Sequence, residues 1–117
     1  MIVAGSGLKV VVATRPVDFR KGHDGLVAVV EHELGLDPYS GVVFVFRPKR
    51  VDRIKVLYWD GTGLVLASKR LEQGRFAWPT VRDGVMRLSR AQFEALFEGL
   101  DWRRVWGRRV RRPLAAA

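Results

Sequence analysis

Residues 53–71 read RIKVLYWDGTGLVLASKRL, two apolar and β-branched runs on either side of the polar turn Asp60-Gly61-Thr62-Gly63. Aspartate and glycine favour such turns, because they adopt the required backbone angles at low cost. The segment therefore predicts a β-hairpin with strands over Arg53–Trp59 and Leu64–Leu71. A β-rich run at Val42–Phe46 precedes it, so we predict three consecutive antiparallel strands.

A first helix is indicated between Asp24 and Gly35. The apolar residues in this segment recur at the spacing of one helical face, and glycine is the residue that most often ends a helix. We expect about three turns of helix. The predicted buried stripe consists of Leu26, Val29, Val30 and Leu34.

A second helix is indicated from Ser89 onward. Ser89 and Gln92 match the capping-box pattern, in which each side chain satisfies a free backbone amide of the first turn. The apolar residues that follow lie on one helical face and predict packing against the sheet. They are Phe93, Leu96, Phe97 and Leu100.

Two shorter β-rich runs complete the predicted fold. Leu8–Ala13 is a buried strand that Arg15-Pro16 should end, and Val85–Leu88 is a further short strand. We predict a single α+β domain over residues 1–117, in which a small antiparallel sheet centred on residues 42–71 packs against two helices. Residues 107–117 are arginine-rich and poor in apolar side chains, which predicts a flexible basic tail.

Length and composition limit the class of protein. The chain has 117 residues and no cysteine, which fits one domain and rules out disulfides and thiolate zinc sites. Apolar runs such as Gly41–Phe46 fall well short of the roughly 20 residues that a membrane-spanning helix needs. We expect a cytoplasmic protein without a membrane partner.

The charge indicates an acidic partner. Lys and Arg number 21 against 12 Asp and Glu, a formal net charge of +9. Nucleic acid is the most common partner of such a protein, because arginines displace counterions from phosphates. An anionic membrane surface fits less well, since no helix has a basic face opposite a broad apolar face.

Catalytic and metal-binding chemistry has little support in the sequence. His23 and His32 are the only histidines, too few for a clustered metal site. A two-metal nuclease or transposase site would need converging carboxylates. Each candidate also suits a helix start, a turn or an ion pair, and we therefore expect no catalytic residue, metal, cofactor or small-molecule substrate. The candidates are Asp18, Asp24, Asp37, Asp52 and Asp60.

The segment before the hairpin turn carries a candidate nucleic-acid surface. In a strand, Arg53, Lys55 and Trp59 share one face, while the apolar residues Ile54 and Val56 share the other. Basic and aromatic side chains on one face can combine phosphate contacts with base stacking. The alternative is a solvated sheet face with Trp59 packed under the hairpin. The preceding turn would add Arg47, Lys49 and Arg50.

A second basic feature lies near the carboxyl terminus. Four closely spaced arginines there favour phosphate contacts, and the alternative is that they only keep the chain soluble. They are Arg108, Arg109, Arg111 and Arg112.

Three ordered blocks carry a family resemblance: DFRKGHDGL (residues 18–26), DRIKVLYWDGTGL (52–64) and KRLEQGRFAWP (69–79). The sequence resembles the small TnpB accessory proteins of the insertion-sequence-sixty-six family of bacterial mobile elements, from about Lys9 to Arg104. The resemblance implies a protein that accompanies a separate, larger transposase and is needed for transposition. It implies no catalytic site.

The predicted function is that of a non-catalytic accessory protein of DNA transposition. Two mechanisms remain open. In the first, the protein binds DNA through the basic sheet face and the arginine tail. In the second, it is an adaptor that docks on the transposase of the same element through exposed Trp and Phe side chains, without binding DNA itself.

Overall fold

The computed structural model describes residues 8–80 and 84–105. Within these ranges the chain forms five strands and two α-helices. The strands are β1 (Val10–Val17), β2 (Val43–Pro48), β3 (Arg53–Trp59), β4 (Leu64–Arg70) and β5 (Val85–Leu88). The helices are α1 (His23–Ala28), which continues as a π-helical segment over Val29–Glu33, and α2 (Arg90–Glu98), which is followed by a 3₁₀ turn at Trp102–Arg104.

The strands form one sheet in the order β4-β3-β2-β1-β5. The predicted antiparallel series β2-β3-β4 is confirmed, as is β5, which pairs antiparallel with β1. The prediction of a purely antiparallel sheet is wrong, because β1 pairs parallel to β2. The physical reason is the connection: α1 carries the chain back to the end of the sheet where β1 began, as a crossover does.

The sheet has a helix on each of its faces. On one face, α2 packs against a core that includes Val12, Val45 and Val56; on the other, α1 packs against Phe44, Phe46 and Leu57. Because helices cover both faces of the sheet, β1 and β2 contain continuous apolar runs and do not alternate between apolar and polar residues. The α+β class with two helices is confirmed.

Strand β1 does not end where the sequence predicts. It runs through Arg15 and Pro16 to Val17, which pairs with Pro48 after a shift in register beyond Ala13. Proline cannot donate a ladder hydrogen bond, but it is tolerated at an irregularity of this kind. The four extra residues bring the end of β1 beside the end of β2.

Both helices largely match their predicted stripes. Leu26, Val29 and Val30 are buried, and Leu34 is half-buried before Gly35, which has a left-handed φ of 65°. At the start of α2 the Gln92 amide donates to Ser89 Oγ at 3.1 Å and the Ser89 amide donates to Gln92 Oε1 at 2.9 Å, which confirms the capping box.

The apolar stripe of α2 is shorter than predicted. Phe93 and Leu96 are buried and Phe97 is half-buried. Leu100 is 56% exposed, because Gly99 ends the helix with a φ of 84° and turns the chain away. The predicted basic tail at residues 107–117 lies outside the described residues. No helix in the described ranges is long and apolar enough to cross a membrane.

Candidate nucleic-acid interface

The ends of β1 and β2 meet at one edge of the sheet. Because the two strands are parallel, the loop after β1 (residues 18–22, the 18–22 loop) adjoins the turn between β2 and β3. A cleft of about 400 Å³ lies between them, and we call it the basic cleft. Its lining residues are Pro16, Val17, Asp18, Phe19, Arg20, Lys49, Arg50 and Arg53.

The basic cleft has an excess of positive charge. Lys49 and Arg50 are exposed and form no ion pair with any carboxylate of the described residues. Arg53 lies beside Asp52, with Nε 3.8 Å from Oδ1, too far for a hydrogen bond. Two exposed cations thus remain available to an anion from solvent.

The single carboxylate of the cleft is already paired. Asp18 accepts hydrogen bonds from the Arg20 backbone amide at 2.9 Å and from the Arg20 guanidinium at 3.0 Å. These bonds from Arg20 hold the pKa of Asp18 at about 2, against an ordinary value of 3.8. Asp18 is therefore ionised at neutral pH and offsets Arg20, but it does not offset Lys49 or Arg50.

A neighbouring cleft of about 320 Å³ adjoins the basic cleft and shares Phe19 and Arg53 with it. Arg70, at the end of β4, extends the positive charge into it, although it also pairs with Glu72 at 3.2 Å. The Lys69 ammonium instead donates to the Phe97 carbonyl at 2.6 Å. The neighbouring cleft is lined by Phe19, Pro48, Arg53, Ile54, Lys55, Ser68, Lys69 and Arg70.

Lys55 is engaged with the backbone. Its ammonium donates hydrogen bonds to the carbonyls of Phe19 and Lys21, the latter at 2.8 Å. An ammonium has three donors, and two of them fasten the 18–22 loop to β3. The geometry therefore gives Lys55 a structural contact in the place where the sequence predicted a phosphate contact.

A family comparison covers all of the described strands and helices. The family model described as IS66 Orf2 like protein matches residues 8–106. The chain belongs to this family. The predicted resemblance to the insertion-sequence-sixty-six accessory protein is thereby confirmed, and this IS66 Orf2-like chain is a transposition-associated accessory protein.

Two relatives come from Sinorhizobium fredii (strain NBRC 101917 / NGR234). The chain is 50% identical to the uncharacterized protein y4jC over 117 residues, which is 100% of both chains. It is 40% identical to the uncharacterized protein y4hO over 103 residues, 88% of this chain and 90% of the relative. No solved structure matches the chain.

The IS66 Orf2-like fold brings together only some of the residues that the sequence singled out. Lys49, Arg50 and Arg53 meet at the basic cleft. Phe46 pairs with Lys55 and shares its face of the sheet, so the next residue, Arg47, points to the opposite face. The buried Nε of Arg47 has no hydrogen-bond partner among the described residues. The arginines at positions 108, 109, 111 and 112 lie outside the described residues.

Trp59 lies apart from the basic cleft. It is six residues from Arg53 along β3, which corresponds to roughly 20 Å of strand. Its ring is half-buried and contacts Tyr39 edge-to-face, with the ring centroids 5.7 Å apart. Trp59 therefore packs against the turn before β2.

Sequence reasoning missed Phe19 and Arg20 as site residues. Phe19 is 66% exposed, although an aromatic ring usually buries much of its surface. In the sequence, Phe19 is a phenylalanine between charged neighbours directly after a strand. This pattern indicates a site residue only when the parallel β1–β2 pairing is known, because that pairing places the loop beside Lys49 and Arg50.

Among the described residues, no group of three or more His, Asp or Glu side chains could hold a metal ion. The aspartates have other local contacts. Asp37 accepts the Tyr39 amide at 2.9 Å, and Asp60 accepts the amides of Thr62 and Gly63 at 2.9 Å each. Those hydrogen bonds lower the pKa of Asp60.

Proposed function

We propose that the protein assists transposition as a non-catalytic DNA-binding component, and that the basic cleft holds the DNA backbone. The observation that carries this proposal is the pair of exposed cations Lys49 and Arg50 beside Arg53, which form no ion pair with any carboxylate in residues 8–80 and 84–105. These side chains come from a turn and a strand end, whose positions are fixed by the paired strands β2 and β3. A rigid support limits the entropy that is lost when a phosphate is bound.

The chemistry of the cleft suits phosphate. Arginine presents a planar fork of donors that matches phosphate oxygens, and lysine adds a point charge. Each phosphate that is neutralised releases condensed counterions, and this release drives binding to DNA at low salt. Contacts of this type position a protein on DNA without reading its sequence.

The carboxylates near the cleft support a role without catalysis. Asp18 is bound to Arg20, and Asp52 lies beside Arg53. A two-metal site for strand cleavage needs carboxylates that converge on ions roughly 4 Å apart. Carboxylates next to arginines serve instead to orient those arginines. We therefore assign the cleavage of DNA to the separate transposase of the same element.

A specific observation favours the adaptor as a second function. A groove of about 500 Å³ lies at the other ends of β1 and β2, and its lining includes Leu34, Leu36 and Val85. Leu36 and Val85 are 41% and 40% exposed, and exposed apolar side chains around a groove suit a protein partner. The proposed partner is the transposase of the element.

The proposal is tested by DNA binding of a double variant, Lys49→Ala with Arg50→Ala. Fluorescence anisotropy with a labelled duplex of the element end should show weaker binding than the wild type. The matched control is Lys9→Ala with Arg87→Ala, which removes the same charge from exposed residues at the other end of β1. Equal losses of DNA affinity in the two double variants would indicate that net charge alone governs binding. That result would overturn the assignment of DNA binding to the basic cleft.

The two functions are separated by a second measurement. If the protein is only an adaptor, the wild type should fail to bind duplex or single-stranded DNA at low salt, yet it should co-purify with the transposase. Leu36→Ser with Val85→Ser should then abolish co-purification. A truncated chain that ends at Gly107 tests the contribution of the four distal arginines to DNA affinity.

A further inference from the structure

Phe19 forms an exposed aromatic ridge between two clefts. It lines both the basic cleft and the neighbouring cleft, and two-thirds of its surface, 66%, is exposed. Burying an apolar ring is favourable, so an exposed ring that lines two clefts with cationic side chains is an open contact surface. The Arg20 guanidinium lies over the Phe19 ring, 5.9 Å from the ring centre, and therefore places positive charge at one face of the ring.

The backbone beneath the ring is fixed. The Lys21 amide donates to the Asp18 carbonyl at 3.1 Å, which closes a turn around Phe19. The Arg20 amide donates to the Asp18 carboxylate at 2.9 Å. The Lys55 ammonium, on β3, donates hydrogen bonds to the backbone carbonyls of Phe19 and Lys21. The ring is thus presented by a loop that is ordered before any ligand arrives, which lowers the entropic cost of binding.

The clefts on either side have the size and charge to hold parts of one strand of nucleic acid. Their volumes of about 400 and 320 Å³ are those of small-ligand pockets. Lys49 and Arg50 supply positive charge to the basic cleft. Arg70, which also pairs with Glu72 at 3.2 Å, supplies it to the neighbouring cleft, and Arg53 lines both clefts. Basic grooves interrupted by an aromatic ring are the arrangement with which proteins hold unpaired strands.

We infer that the preferred ligand is unpaired DNA, with one base stacked on the Phe19 ring and the adjoining phosphates in the two clefts. This inference rests on the proposed DNA-binding function and deepens it by naming the strandedness of the substrate. In a duplex the faces of the bases are covered by their neighbours, so the ring can reach a base only where stacking is broken. Lys55 is a positioning residue, because it holds the ridge without touching the DNA.

The experiment compares single-stranded and duplex forms of one labelled 12-nucleotide DNA by anisotropy at low salt. Phe19→Ala should weaken binding to the single strand about 5- to 150-fold, the loss expected for one stacked base. Binding to the duplex should change little. Phe19→Tyr, which retains an aromatic face, should bind the single strand like the wild type. Leu100→Ala is the matched control, because it shortens an apolar side chain that is 56% exposed outside both clefts.

The role of Lys55 is tested by the salt dependence of single-strand binding. Lys55→Met retains most of the side-chain stem but cannot donate hydrogen bonds, so it should weaken binding and leave the log–log salt slope unchanged. If Lys55 contacted a phosphate, the slope would instead fall by about 0.7, and the positioning role would be wrong. Lys55→Arg, which retains the donors and the charge, should recover part of the affinity.

The outcomes distinguish this inference from the proposed function. If wild-type protein binds both forms of DNA and Phe19→Ala binds the single strand as tightly as the wild type, the DNA-binding function stands and the stacking inference fails. If wild-type protein binds neither form at low salt, the proposed function fails and the inference fails with it. A preference for the single strand that disappears in Phe19→Ala and persists in Phe19→Tyr supports both.

Discussion

The ammonium nitrogen of Lys55 lies 2.8 Å from the backbone carbonyl oxygen of Lys21. This contact joins β3 to the loop that follows β1, across 34 residues of sequence. It explains how a loop of five residues can hold the backbone of the exposed residue Phe19 in place. The same contact gives Lys55 a role in stability that can be measured without DNA.

Lys55→Met should destabilise the fold by about 1–3 kcal/mol, because two backbone carbonyls lose a charged donor. The free energy of unfolding is measured by urea denaturation. Lys9→Met is the matched control: Lys9 is exposed and should contribute less than about 0.5 kcal/mol. Equal effects of the two substitutions would contradict the proposed anchoring of the 18–22 loop.

The two phenylalanines of α2 should differ in their effect on stability. Phe93 is 2% exposed within the core, so Phe93→Ala should cost about 3–5 kcal/mol. Phe97 is half-buried, and the Lys69 ammonium lies 4.7 Å from the centre of its ring. Phe97→Ala should therefore lower the free energy of unfolding by less than Phe93→Ala does. Thermal and urea unfolding of both variants provide the comparison. A larger loss for Phe97→Ala would contradict the placement of α2.

Asp18 should titrate at about pH 2 in the folded protein, because the Arg20 side chain and amide bind its carboxylate. Its ordinary pKa is 3.8, so the carboxylate favours the folded state at pH values above that. This contribution is lost as the pH falls from about 4 through 2. NMR titration of the Asp18 carboxyl measures the pKa directly. Asp18→Asn should reduce the loss of stability in this pH range, and an ordinary pKa would contradict the Asp18–Arg20 contact.

The hairpin and the helices could be predicted because their signals are local. The turn after β3 is made by Asp60, whose carboxylate accepts the amides of Thr62 and Gly63. The start of α2 is made by Ser89 and Gln92, three residues apart. Each of these contacts lies within one turn of chain, so the residue types alone indicate the structure.

The candidate site could be predicted only in part, because it depends on pairing between distant segments. Lys49, Arg50 and Arg53 are close in sequence, and their grouping was visible there. Phe19 joins them only because Val17 pairs with Pro48 in a parallel register. The pairing could not be predicted from the sequence, because a proline such as Pro16 normally indicates the end of a strand. Conversely, Lys55 looked available for phosphate because the carbonyls it binds come from a loop 34 and 36 residues earlier.

The central claim, that the basic cleft holds DNA phosphates, is tested most directly by the salt dependence of duplex binding. The logarithm of the association constant is measured against the logarithm of the salt concentration for wild type, for Lys49→Ala with Arg50→Ala, and for Lys9→Ala with Arg87→Ala. If both cleft cations contact phosphates, the slope of the first variant should be smaller in magnitude by about 1.8, or about 0.9 per phosphate. The control should retain the wild-type slope. A cleft variant with the affinity and slope of the wild type would contradict the account.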